Sequence, residues 1–146
     1  KDIGGHTAFH LSCESGHFEV ANLLIENSIT LSIDLNSKDN EGRTAFQLAC
    51  NQGFGSNVVK MFMDNSATLS IYLKELDKKG QTALHWACSF GNYEVVSALF
   101  IHGGISANVV NAEGQLALHV ACKSAQNNAE KKKTIDYAQS RQVPDM

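Results

Sequence analysis

Gly80-Gln81-Thr82-Ala83-Leu84-His85-Trp86-Ala87-Cys88 is one of four versions of the same nine residues. The others are Gly-His-Thr-Ala-Phe-His-Leu-Ser-Cys at 5–13, Gly-Arg-Thr-Ala-Phe-Gln-Leu-Ala-Cys at 42–50 and Gly-Gln-Leu-Ala-Leu-His-Val-Ala-Cys at 114–122. Their closing cysteines, Cys13, Cys50, Cys88 and Cys122, stand 37, 38 and 34 residues apart. A shared motif at a period in the thirties marks a solenoid, in which each unit buries its apolar face only against a neighbour.

Around each motif the chain reads as helix, short turn, helix and loop. Thr7, Thr44 and Thr82 are natural N-caps, because a threonine hydroxyl accepts from the unpaired amides of a first helical turn. An apolar face follows, as in Ala45, Phe46, Leu48 and Ala49. Gly16, Gly53 and Gly91 come three residues after a motif cysteine and can take the positive φ that ends a helix. Second apolar stretches come next: Val20, Leu23, Leu24 and Ile25; Val58, Val59, Phe62 and Met63; Val95, Val96, Leu99, Phe100 and Ile101. Steps of three and four predict helix rather than strand. The loop Asn27–Leu35 recurs as Asn65–Leu73 with seven of nine residues identical, which implies tandem duplication. The alternation of Leu31, Ile33 and Leu35 predicts an extended, half-buried segment there. The third loop, Gly103–Asn108, is three residues shorter.

Composition narrows the function. The 146 residues are 43% apolar and 18% charged, enough for one core without disulfide or metal staples. A net charge of −3 lacks the dense cationic face that nucleic acid or an anionic membrane surface requires. The longest apolar run, Val95–Ile101, is seven residues and is interrupted by Ser97, so no membrane insertion is expected. Pro144 is the single proline.

These features resemble the ankyrin repeat family, whose units open with Thr-Pro-Leu-His-x-Ala and carry a glycine between two helices. The resemblance covers residues 2 to about 124, with Gly, Thr, Leu or Phe, His, Ala or Ser, and Gly in register three or four times. It implies an all-α solenoid of stacked helix-turn-helix units joined by β-turn finger loops. Repeats are expected at 2–38, 39–76, 77–110 and 111–124, with a degenerate C-terminal cap over 125–146. The family's proline is Ala8, Ala45, Ala83 and Ala117 here, a mild change because alanine is a good helix former at that position. Gln47 replaces His in the second unit and Leu116 replaces Thr in the fourth. Asn127–Lys133 is polar where a second helix is due, leaving Thr134–Gln139 as a closing helix. The chain opens at Lys1, directly in a finger, so it is expected to be part of a longer chain with an earlier repeat upstream.

The recurrent His and Cys invite a chemical reading that their number does not support. His10 and Cys13, His85 and Cys88, and His119 and Cys122 share helix faces, but zinc takes four convergent ligands and each unit offers two. Disulfides between stacked units exceed the Cα separation of about 7 Å that a bridge allows. The cysteines are expected as four buried, free thiols and the histidines as partners of finger backbone. Reduced thiols point to the cytoplasm, or the nucleus. Three copies of a Cys–His pair do not make a unique nucleophile, so no enzyme activity and no cofactor is expected. Lys131-Lys132-Lys133 reads as a solvated cap.

The resemblance then implies a non-catalytic module, an adaptor or scaffold and a monomer, binding a protein or peptide partner through fingers and groove. The alternative is a cis-regulatory or substrate-recruiting segment of a larger enzyme, channel or ubiquitin-ligase subunit. Positions matching the family's contact surface are Ile3, Gly4 and His6; Asn40, Glu41 and Arg43; Lys78, Lys79 and Gln81; and Ala112, Glu113 and Gln115. The ends of the first helices add Glu14 and Ser15, Asn51 and Gln52, Ser89 and Phe90, and Lys123 and Ser124. Phe90 stands where other units carry Ser15, Gln52 and Ser124, and Leu76 precedes Asp77 where Lys38 precedes Asp39. If the family's geometry holds, these two form an apolar centre flanked by Lys78, Lys79 and Gln81, which suits a ligand with apolar anchors and acidic character; the alternative is that the longer second loop folds over Phe90 and makes it core.

Overall fold

A computed structural model of the chain describes residues 1–51, 56–102, 104–124 and 129–141. Eight helices follow one another in it: α1 (Ala8–Glu14), α2 (Phe18–Glu26), α3 (Ala45–Asn51), α4 (Ser56–Leu69), α5 (Ala83–Phe90), α6 (Tyr93–His102), α7 (Ala117–Ser124) and α8 (Ala129–Arg141). First helices form one layer, with α1 on α3, α3 on α5 and α5 on α7, while α4, α6 and α8 stack as a second. Among the described residues there is no strand, only isolated antiparallel bridges Lys38–Thr44 and Val110–Leu116 closing two fingers.

The motif dictates each helix start. Thr7 and Thr82 share an extended cap geometry, φ −88° and ψ 169°. In the third unit the Thr82 hydroxyl accepts from the His85 amide, and the Thr82 amide donates to His85 Nδ1 at 3.2 Å. Nδ1 therefore accepts, the proton sits on Nε2, and Nε2 donates to the Gln115 carbonyl of the next finger at 3.0 Å. His10 does the same toward the Arg43 carbonyl at 3.1 Å. Gln47 keeps the box through Oε1, which accepts from the Thr44 amide at 2.9 Å. Its amide nitrogen has two protons, and it donates both to Gln81 O at 3.0 Å and to Glu75 O at 2.8 Å. One side chain thus caps its own helix and pins the following finger. The α5 helix ends at Gly91, φ 80°, in the left-handed region expected of it.

The first two units share a buried aromatic core, and the third is aliphatic at its centre. Phe62 of α4 packs against Phe46 (5.0 Å between ring centroids) and Phe9 (5.5 Å), joining the first two units. Leu84, Val95, Val96 and Leu99 are buried in the third.

Four expectations need correction. The Asn27–Leu35 loop is not extended: its amides keep helical partners, as Leu31 N to Asn27 O at 2.9 Å, and α4 runs through the same sequence to Leu69. Both copies end in a left-handed serine, Ser32 and Ser70 at φ 51°, sealed by Ile33 N to Ser28 O and Ile71 N to Ser66 O at 2.8 and 3.0 Å. Leu31 is exposed and Leu35 buried, because Leu31 still belongs to the helical run while Leu35 follows the left-handed turn at Ser32, which redirects the chain. Val20 and Leu23 are exposed, since α2 belongs to the outermost unit. Cys122 is exposed for the same reason at the other end, whereas Cys13, Cys50 and Cys88 are buried and all four are free. The polar stretch before Thr134 is helical from Ala129, and α8 closes the stack with Thr134 and Ala138 buried. Thr134 Oγ1 donates to the Gly91 carbonyl at 3.1 Å, tying α8 to the turn of the third unit. Gln52, Gly53, Gly55, Asn127, Asn128 and the side chain of Val58 lie outside the described residues.

Candidate functional site

The fingers stack by one backbone hydrogen bond per step. Asn40 N donates to Gly4 O, Lys78 N to Glu41 O and Ala112 N to Lys79 O, at 2.9, 3.0 and 2.8 Å. Inside the second, third and fourth fingers a buried carboxylate or amide shapes the turn. Asp77 Oδ1 accepts from the Lys79 and Gln81 amides, and Asp39 and Asn111 do likewise. Gly42 and Gly80 hold φ of 75° and 69° against the next finger, where a Cβ would meet Lys78 N at 3.0 Å or Ala112 N at 3.1 Å.

Between the second and third fingers this stacking leaves a cleft of about 230 Å³ lined by Asn40, Glu41, Asp77, Lys78, Lys79 and Trp86. Trp86 is its apolar wall. The indole N–H donates to Asp77 Oδ2 at 3.1 Å, and the Arg43 guanidinium lies over the ring at 5.8 Å. Arg43 is held in turn by Asp39, Nε to Oδ2 at 2.7 Å, and Asp39 also lies 3.5 Å from His6 Nε2. Burial would raise the Asp39 carboxyl, but the Arg43 amide and guanidinium outweigh it and hold it below the usual range. The wall of the cleft is therefore fixed from behind by a charged cluster, while Lys78, Lys79 and Glu41 on its rim stay exposed.

Of the positions expected from sequence, Asn40, Glu41, Lys78 and Lys79 come together at this cleft. Several expected positions, Asn40 among them, also serve the scaffold. Asn40 Nδ2 donates to Ile3 O at 2.8 Å, Arg43 is committed to Asp39, and the Gln81 and Gln115 carbonyls receive Gln47 and His85. Glu113 stands 3.9 Å from Lys123 at the far end, and His6 at the near end bonds Asp2 at 3.1 Å. Asn51 and Ser89 are half-buried. Leu76 and Phe90 are 44% and 47% exposed, so the long second loop does not bury Phe90. Neither lines the cleft, so the expected apolar centre is Trp86 instead. Phe90 lies one turn beyond Trp86 on the same face of α5. A signal for Trp86 was present, since its counterparts Leu11, Leu48 and Val120 are all aliphatic.

Burial lowers the His10 and His85 pKa, keeping the rings neutral in their bonds to the fingers. It pushes the Cys13 and Cys88 thiols up to about 12, far from the thiolate a nucleophile or metal ligand needs. No described helix is long and apolar enough to cross a membrane.

The family model for ankyrin repeats (three copies) matches residues 1–73 and 56–133. No curated protein matches the chain. Domains of that family are generally protein–protein interaction modules and typically non-catalytic. With the capped helix pairs, stacked fingers and helical layers described above, the match over most of the sequence shows that the chain belongs to the ankyrin repeat family.

Proposed function

We propose that this domain is a non-catalytic adaptor that binds a protein or peptide partner across its second and third fingers. The observation that carries this reading is the cleft walled by Trp86 and rimmed by Lys78 and Lys79. A fixed indole beside exposed cations suits a segment with one apolar anchor and an acidic neighbour, the arrangement of a desolvated hot spot with a polar rim. Phe90 extends that apolar strip along α5. The four free cysteines favour a reducing compartment, the cytoplasm or nucleus, for this work.

Capture of partners by the wild-type chain and by Lys78→Glu/Lys79→Glu tests the reading. Both lysines are exposed, so the variant keeps its thermal stability. The expected result is loss of the captured partner by the double variant and by Trp86→Phe, which keeps a ring but not the indole N–H. A partner retained by both folded variants would move the binding surface away from this cleft.

A further inference from the structure

The exposed tips of the fingers carry a pattern of charge that the cleft does not account for. Gly4 O, Glu41 O and Lys79 O accept the three stacking bonds, so these residues form one row down the stack. Glu113 continues it, since its amide donates to Asn111 Oδ1 as the Glu41 and Lys79 amides donate to Asp39 and Asp77. The row therefore reads uncharged, negative, positive, negative. Glu41, Lys79 and Glu113 are all exposed.

Their charges are only loosely engaged within the chain. Glu41 lies 3.4 Å from Arg43, whose shorter bond of 2.7 Å goes to Asp39, and Glu113 lies 3.9 Å from Lys123. Both exceed the length of a tight charge-assisted bond, about 2.7–2.9 Å. The ammonium groups of Lys79 and its neighbour Lys78 have no carboxylate partner among the described residues. Spacing along the row follows from the helices behind it. The second, third and fourth fingers lead into α3, α5 and α7, which stack in one layer. Packed helix axes lie about 8–10 Å apart, and an extended chain advances about 3.3 Å per residue. One finger step therefore spans about three residues of an extended segment.

We infer that the bound partner is an extended segment crossing the second to fourth fingers, with an acidic residue at Lys79 and basic residues three positions to either side, at Glu41 and Glu113. This rests on the finger cleft being the binding site, and it adds the charge spacing that the cleft alone leaves open. The apolar anchor falls between the first basic residue and the acidic one, because the cleft walled by Trp86 opens between the second and third fingers. A segment of one sign throughout meets like charge on at least one finger, so the row sets register as well as partner.

The test titrates two end-capped peptides of identical composition into the ¹⁵N-labelled domain. Arg-Ser-Leu-Glu-Ser-Ser-Arg fits the row, whereas Ser-Ser-Leu-Glu-Arg-Arg-Ser keeps the Leu-Glu pair for the cleft and crowds both arginines to one side. The expected result is a saturable shift of the Trp86 indole N–H, the single tryptophan signal, with both peptides. Only the first should also shift the amides of Glu41 and Glu113 together, and it should bind about three-fold or more tightly, the scale of one exposed charge pair. Glu41→Lys in the domain should erase that difference. Equal affinities at a shifting Trp86, or a difference that survives Glu41→Lys, would overturn the charge spacing while leaving the cleft in place. No saturable shift with either peptide at millimolar concentration would overturn it as well, and capture of a partner by the wild-type chain would still judge the cleft separately.

Discussion

Val20 and Val95 hold the same place in their units, each four residues after the glycine between helices. Val20 is 50% exposed and Val95 fully buried. Leu11 and Leu48 repeat the contrast within the motif, at 42% and 1%. The residue and the local helix are the same in each pair, so the difference lies wholly in what stacks alongside. Within this chain each end unit lacks a stacked neighbour on one side, and a side chain that faces that side, as Val20 does, is left exposed.

The largest expected effect follows directly. Leu84→Ala removes a buried side chain between stacked helices and should cost about 3 kcal/mol, with Val95→Ala costing about 2 kcal/mol. Val20→Ala should stay within about 0.5 kcal/mol, as exposed positions do. Urea melts of the three variants measure this, and equal losses at Val20 and Val95 would break the comparison.

Acid should act through the same stacking bonds. Above pH 6.5, an ordinary histidine's pKa, His10 and His85 are neutral whether the chain is folded or not. Below it the unfolded chain takes up protons that the buried rings, with lowered pKa, do not. Unfolding then binds protons, so stability falls as pH falls. Loss from Asp39, whose folded carboxyl sits low, begins only below about pH 4. The urea midpoint should therefore be lower at pH 5.5 than at pH 7.5. His85→Gln, which copies the box of Gln47, should flatten that dependence, and an unchanged slope would contradict the role given to the ring.

The smallest effect concerns the left-handed loop ends. The third unit places Gly104 at φ 54°, where the first two place serine at φ 51°. A side chain there costs about 1 kcal/mol, of which glycine's greater unfolded freedom returns part. Ser32→Gly should raise stability by about 0.5 kcal/mol, readable as a small rise in urea midpoint. A fall would mean that the serine makes a compensating contact.

Much of this was legible in the residues because each unit states its own fold. Thr caps, inter-helix glycines and the histidine contact to the next finger all follow from the nine-residue motif. Relations between units were less legible. The burial of Val20 and Cys122 was misjudged because periodicity shows which side of a helix faces inward, but not whether anything stands there. The Asn27–Leu35 loop misled because Leu31, Ile33 and Leu35 fit a strand's alternation, while the amides up to Leu31 keep helical partners and the chain turns at Ser32. Trp86 was passed over in favour of Phe90, although both are aromatics where other units lack one. Only the folded fingers show that Asp77 and Arg43 hold the indole at a cleft.

The four motif cysteines offer the most direct test that neighbours, not local sequence, set the core. They occupy one position in four units, and only Cys122 lies exposed. Labelling the native domain with a small thiol reagent, followed by intact-mass spectrometry, should show one fast adduct, mapped to Cys122, and three slow ones. Four fast adducts, or fast labelling of Cys50 in the middle of the stack, would contradict it.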